Sequence, residues 1–117
     1  MKIRLFMLGV VASAFAACAE TIFIETESFK DYGGWVNDTQ FMDQMGSPFL
    51  LAHGMGKPVE DATTTFAAKG GKYNVWVRTR NWTYRWHPGV GAGTFHLVVN
   101  GMKLPKLLGA QGKGEWL

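Results

Sequence analysis

The chain has 117 residues, of which 47% are hydrophobic and 18% charged, with a formal net charge of +3 and one cysteine. That length suits a single domain, and a lone cysteine excludes an internal disulfide as its staple. So small a charge excess gives no reason to expect nucleic acid or an anionic membrane as partner.

The opening stretch has a basic start (Lys2, Arg4), then an apolar run over 5–17 broken only by Gly9 and Ser13, and it closes on Ala17-Cys18-Ala19 before Glu20. Positive, apolar and small residues in that order are what a signal peptidase reads, so residues 1–19 are expected to direct export and to be removed. The apolar run is shorter than the about 20 residues that cross a bilayer. Removal takes Lys2 and Arg4 from the 12 basic residues, leaving 10 against 9 acidic ones, and it takes the only cysteine as well. Cys18 has a second reading. Phe15-Ala16-Ala17-Cys18 resembles a bacterial lipoprotein processing site, in which Cys18 is lipidated and kept as the first residue, although Phe15 stands where Leu is preferred. Either reading places the protein outside the cytoplasm, periplasmic or extracellular, with membrane contact only through that lipid.

In chain order, residues 21–25 (Thr-Ile-Phe-Ile-Glu) form a β-branched and aromatic run that predicts a first strand. Residues 30–61 are rich in Gly, Asp, Asn, Gln and Pro and read as long loops, with one helical turn over 41–45 and one short strand over Phe49–Ala52. Residues 62–67 predict another strand, followed by a Lys69-Gly70-Gly71-Lys72 turn. Period-two patterning is clearest over 73–80, where Tyr73, Val75, Val77 and Thr79 alternate with Asn74, Trp76, Arg78 and Arg80. Phe95, Leu97 and Val99 share a face of the next strand, and Asn100-Gly101 then predicts a tight hairpin into Met102-Lys103-Leu104. Short strands with glycine-rich connections predict an all-β sandwich or barrel spanning 20–117. The chain stops at Gly114-Glu115-Trp116-Leu117 as an apolar segment begins, and the expectation is a domain truncated before its closing strands, the front piece of a longer protein.

Glu25 and Glu27 flank Thr26 at the end of the first predicted strand, where residues two apart face one side. Two converging carboxylates repel unless a hard cation such as Ca²⁺ bridges them; the alternative is two solvated acids on an exposed face. The segment 78–87 is dense in Arg, Asn and aromatic residues and is followed by Pro88 and glycines, which predicts a loop. Large aromatics there either fold back on the core or form a binding surface. Trp82, Tyr84 and Trp86 offer faces on which the C–H edges of sugar rings stack, and Asn81 and Arg80 offer groups that bond hydroxyls. Nucleobases could stack on the same faces, but export and the near-neutral charge of 20–117 argue against them. Neither Gly54-Met55-Gly56 nor Gly89-Val90-Gly91-Ala92-Gly93 opens a helix after a strand, so no FAD or NAD site is expected within this chain. Ser47 lacks a nucleophile elbow and His53, His87 and His96 lack metal-ligand spacing, so no enzyme is expected here. Asn37-Asp38-Thr39 and Asn81-Trp82-Thr83 match the glycosylation sequon, which matters only in a eukaryotic host.

Phe23-Ile24-Glu25-Thr26-Glu27-Ser28-Phe29 resembles the I-E-A-E-x-[FY] opening of carbohydrate-binding modules of the family 6 and family 35 type. Gly71-Lys72-Tyr73-Asn74-Val75-Trp76-Val77-Arg78 and Val99-Asn100-Gly101 are similar, in the same order, to a strand and a hairpin of those modules. The run from Gly33-Gly34-Trp35-Val36 through Gln40 to Gly54 resembles a module attached to secreted bacterial FAD-dependent oxidoreductases. The resemblance implies a galactose-binding-like jelly-roll β-sandwich with a structural Ca²⁺ held partly by Glu25 and Glu27. It also implies a polysaccharide or glycan ligand on Trp82, Trp86, Tyr84 or Trp35, with Asn81 and Arg80 as polar partners. The expected role is a non-catalytic carbohydrate-binding accessory module; the alternative is a structural domain packing on a downstream FAD-dependent oxidoreductase domain. In either case the partner is the catalytic part of the same protein, and not nucleic acid.

Overall fold

The computed structural model describes residues 1–10, 20–88 and 93–117. Strand dominates it (33%) and helix is scarce (7%), as the glycine-punctuated β-branched runs require. Six strands are present among the described residues: β1 (Lys2–Val10), β2 (Trp35–Asp38), β3 (Phe49–Ala52), β4 (Ala62–Lys69), β5 (His96–Val99) and β6 (Met102–Lys103). A four-stranded sheet runs in the order β4-β1-β5-β6, and β2 and β3 make a separate antiparallel pair. Helix is limited to the turn α1 (Met42–Met45), stopped by Gly46 in the left-handed region, and to a 3-10 turn at Thr26–Ser28.

The middle of the large sheet is the N-terminal segment. β1 runs parallel to β4 with Ile3 opposite Ala62 and Leu5 opposite Thr64, and parallel to β5 with Ile3 opposite Leu97. Its inward residues follow the strand period: Ile3 is buried, and Leu5 packs against the core. Its outer face carries Lys2 and Arg4 near the start and then turns apolar, with Phe6 40% and Leu8 63% exposed. Arg4 Nε donates to an Asp61 carboxylate oxygen at 2.7 Å and ties β1 to the start of β4; both groups are partly exposed, so the pair adds at most about 1 kcal/mol. Residues expected to leave with an export signal therefore fill the central slot, while the Ala17-Cys18-Ala19 cleavage motif lies outside the described residues.

The core gathers Ile3, Phe29, Trp35, Ala62, Phe95, Leu97 and Leu108. Trp35 meets Phe95 edge to face at 5.5 Å, a geometry that suits the ring quadrupoles. Gly33 makes this packing possible: it has φ +55°, and a Cβ there would stand 2.3 Å from the Asp61 carbonyl oxygen. The Asn100-Gly101 hairpin forms as predicted, both residues at positive φ, joining β5 to β6.

Two predicted strands form no ladder. Residues 21–25 are extended but unpaired and lead into the 3-10 turn. Residues 73–78 are also extended without a strand partner, despite carrying the clearest alternation in the sequence, and only Thr79 and Arg80 pair antiparallel, with Leu117 and Trp116. Alternation selects an extended backbone and an inner face, but a strand also needs a neighbour within hydrogen-bonding reach. The segment is pinned at its start. The Tyr73 hydroxyl lies 2.8 Å from a Glu20 carboxylate oxygen and 2.7 Å from the Lys69 carbonyl. It has one proton, which the charged oxygen attracts more strongly.

Two measurements test these contacts. Ile3→Ala is expected to destabilise the 117-residue chain by about 2–4 kcal/mol in denaturant unfolding, because its side chain is buried between β4 and β5. The same substitution site vanishes if residues 1–19 are removed, and amide exchange over Ala62–Lys69 should then accelerate; unchanged protection would show that β1 does not hold that strand. The hydrogen bond from Tyr73, followed by that from the Lys69 N–H, holds the Glu20 carboxyl below its ordinary 4.5. A lowered folded pKa gives stability that is present above the unfolded pKa and lost as pH falls through the folded one. In Tyr73→Phe, the Glu20 titration followed by NMR should move up toward 4.5; an unmoved midpoint would exclude the contact.

Candidate functional site

The loop that follows Arg80 brings two tryptophans together. Its backbone turns on itself, with the Tyr84 N–H donating to Asn81 O at 3.3 Å and the Trp86 and His87 N–H groups to Thr83 O at 3.0 and 2.9 Å. One such turn puts residues four apart on the same side. The Trp82 and Trp86 rings accordingly lie with centroids 5.6 Å apart, tilted by 45°. They are 39% and 61% exposed, while Tyr84 between them is half-buried.

Asn81 does not face solvent with them. It is 3% exposed, and its side-chain amide donates to the Ala110 carbonyl at 3.2 Å. It anchors the loop to the 110–117 segment and is a positioning residue. Arg80 is engaged as well: its guanidinium stacks 3.9 Å over the Phe41 ring and donates to Gln44 Oε1 at 3.0 Å. Phe41, Phe49 and Trp116 complete this cluster, with ring centroids 5.2 to 6.0 Å apart. Arg80 therefore braces the root of the loop. Trp35 does not join the surface pair; it is 8% exposed and packed on Phe95, because the turn at Gly33 directs it into the core.

The acidic pair is placed differently from its predicted strand geometry. Glu25 precedes the 3-10 turn and Glu27 lies within it, so the two-residue spacing no longer puts both on one face. Their main-chain oxygens are already occupied, that of Glu25 by Ser28 N–H and hydroxyl and that of Glu27 by the Tyr32 hydroxyl. Among the described residues no group of three or more His, Cys, Asp or Glu is arranged to hold a metal ion. Ca²⁺ takes 6–8 oxygens, so Glu25 and Glu27 do not form a calcium centre by themselves.

His96 Nδ1 lies 3.2 Å from the Leu104 carbonyl and supports the hairpin, while His53 and His87 are exposed. Ser47 donates to the next carbonyl, that of Pro48, at 3.0 Å. Of the two glycine patterns, Gly54 and Gly56 lie in an exposed turn, and Gly89 and Gly91 lie outside the described residues.

A cavity of about 2140 Å³ opens between the large sheet and the extended segments 21–27 and 72–80. Small-molecule sites occupy about 300–1,000 Å³, so this space is larger than a ligand pocket. Its walls include Leu5, Ile22, Ile24, Val77 and Leu97, the apolar faces that should pack on one another. The radius of gyration, 15.6 Å, exceeds the about 13 Å of a close-packed domain of this length.

The tilted tryptophan pair had a partial signal in the sequence, as two aromatics four apart on a loop. The burial of Asn81 and Trp35 had none, since both depend on partners distant in the chain. In comparisons with protein-family models, curated proteins and solved structures, nothing matches this chain.

Proposed function

We propose that this chain is a non-catalytic carbohydrate-binding accessory module of an exported protein, with a jelly-roll β-sandwich as its completed fold. The observation that carries the reading is the Trp82–Trp86 pair, an exposed aromatic platform on a loop locked by Asn81. Two tilted faces 5.6 Å apart suit successive C–H faces of a glycan, and the anchored backbone lowers the ordering cost of binding. Export is supported by the outward Phe6 and Leu8 of β1, which suit a leader better than a resident strand whose outer face meets water.

A second reading, a structural domain packing on a downstream FAD-dependent oxidoreductase domain, is favoured by different residues. Trp76 is 91% and Phe23 83% exposed, large apolar groups that a neighbouring domain would cover. The two readings use separate surfaces. Structural Ca²⁺ belongs to the first reading, with Glu25 and Glu27 supplying part of its ligands and the remaining oxygens coming from outside this pair.

Affinity electrophoresis and calorimetry against a panel of polysaccharides should find a retained glycan. Trp82→Ala and Trp86→Ala should each weaken that binding about tenfold or more, roughly 1.4 kcal/mol, while Trp76→Ala leaves it unchanged. Retention by no polysaccharide would sink the sugar reading. For the metal, Ca²⁺ is expected to raise the thermal midpoint relative to chelator by a few degrees, and Glu25→Gln/Glu27→Gln to abolish the rise; equal midpoints with and without Ca²⁺ would remove the site.

A further inference from the structure

The small net charge conceals a division along the chain. Residues 20–61 hold eight acidic and two basic side chains, whereas residues 62–114 hold five lysines, three arginines and no acid. The two parts do not neutralise each other through contacts: Arg4 with Asp61 is the one side-chain ion pair among the described residues, and its arginine belongs to β1. The three arginines of the basic part fall at 78, 80 and 85, on either side of Asn81 and Trp82. Arg78 is exposed, and its guanidinium lies 5.8 Å from the centroid of the Trp116 ring, with that of Arg80 5.9 Å from the same ring. Two like charges gathered on one ring repel, and neither has a carboxylate partner. Arg85 follows Trp82 by three residues, inside the turn that brings the two tryptophans together, and residues three and four apart share a side there. It is exposed, as both tryptophans are, whereas Tyr84 is half-buried. Arg78, Arg80, Trp82 and Trp116 also border the same cavity.

We propose that the tryptophan platform takes a polyanionic polysaccharide, one whose sugars carry carboxylate or sulfate groups, and that the arginines around it bind those groups. The inference rests on the glycan reading of Trp82 and Trp86 and specifies its ligand. A guanidinium presents a planar fork of N–H donors that matches two oxygens of a carboxylate or a sulfate, and such charge-assisted bonds are about twice as strong as neutral ones. Arg80 is fixed by Phe41 and Gln44, so its charge stands at the root of the loop without an ordering cost. Arg78 and Arg85 are exposed on the two sides of it, and an anion bound among the three relieves their repulsion. An uncharged sugar leaves that repulsion in place. A surface of one sign also raises the local concentration of opposite charge, which favours a polymer that carries an anion on every sugar over a neutral one. Single-stranded nucleic acid is the other polyanion with groups that stack. Successive bases present parallel faces, whereas the Trp82 and Trp86 rings are tilted by 45°, which suits the stepped C–H faces of a sugar chain.

The test titrates the 117-residue chain with polygalacturonate, with the same polymer methyl-esterified, with a sulfated galactan and with its desulfated backbone. At least one charged polymer should bind about tenfold or more tightly than its neutral counterpart, and the pair showing the difference identifies carboxylate or sulfate as the group bound. Arg78→Gln and Arg85→Gln should each narrow that preference about threefold, while Lys103→Gln, which removes the same charge from the β6 hairpin, leaves it unchanged. Trp82→Ala should weaken charged and neutral polymers alike. Raising the salt from about 0.05 to 0.5 M should weaken the charged polymer and spare the neutral one. Neutral forms held as tightly as charged ones would overturn the inference and leave the glycan reading standing, whereas silence from all four polymers removes that reading itself. An equal loss in Lys103→Gln would reduce the effect to overall charge and overturn the arginine site. A single-stranded oligonucleotide bound more tightly than either charged polymer would overturn the choice of a polysaccharide.

Discussion

Extended backbone needs partners for its hydrogen bonds, and the pairing of one strand, β1, governs this molecule more than any side-chain contact. β4 and β5 lie in one sheet because β1 runs between them and supplies hydrogen bonds to each. Ile3, opposite both Ala62 and Leu97, is also where the sheet meets Phe29, Trp35 and Phe95. Remove the pairing of β1 and the core loses the surface on which the β2–β3 pair and the loops are laid. The parallel direction is part of the same constraint. Parallel neighbours need long crossovers, and here those crossovers carry the extended segment 21–25, the β2–β3 pair and the Trp82 loop.

Such a sheet is at odds with export. A signal sequence and an inward-facing strand both draw on apolar residues, and 2–10 supplies them after its basic start. The two differ on the outer face. Resident strands with one wet side place polar residues along it, whereas the outer face of β1 changes from Lys2 and Arg4 to Phe6 and Leu8.

What the sequence made legible was local. The Asn100-Gly101 turn, β3, β4 and the single turn of α1 were each carried by their own residues: positive-φ tolerance, β-branching, a glycine stop. The residues 21–25 and 73–79 were equally legible as extended chain with an inner face, and there the inference ended, because no local feature names a partner. The same limit applies to the site. Aromatic density over 82–86 marked a surface loop, and the four-residue spacing of Trp82 and Trp86 fitted a common side. But Asn81 reads as a sugar ligand in sequence and acts as an anchor in the fold, because Ala110 O is its partner. Trp35 likewise reads as a platform until the close approach of Gly33 to Asp61 turns it inward.

The platform and the unpaired edge meet at one short stretch of chain. Asn81 holds the tryptophan loop on Ala110, Arg80 pairs with Trp116, and Thr79 pairs with Leu117, so three consecutive residues are fixed by the segment 110–117. That segment has its own brace: Glu115 takes a hydrogen bond from the Lys113 N–H at 2.7 Å, which closes the turn before Trp116. Rigid aromatic faces bind with less entropy loss than mobile ones. Presenting the tryptophans therefore depends on the segment 110–117, through its contacts with Thr79, Arg80 and Asn81.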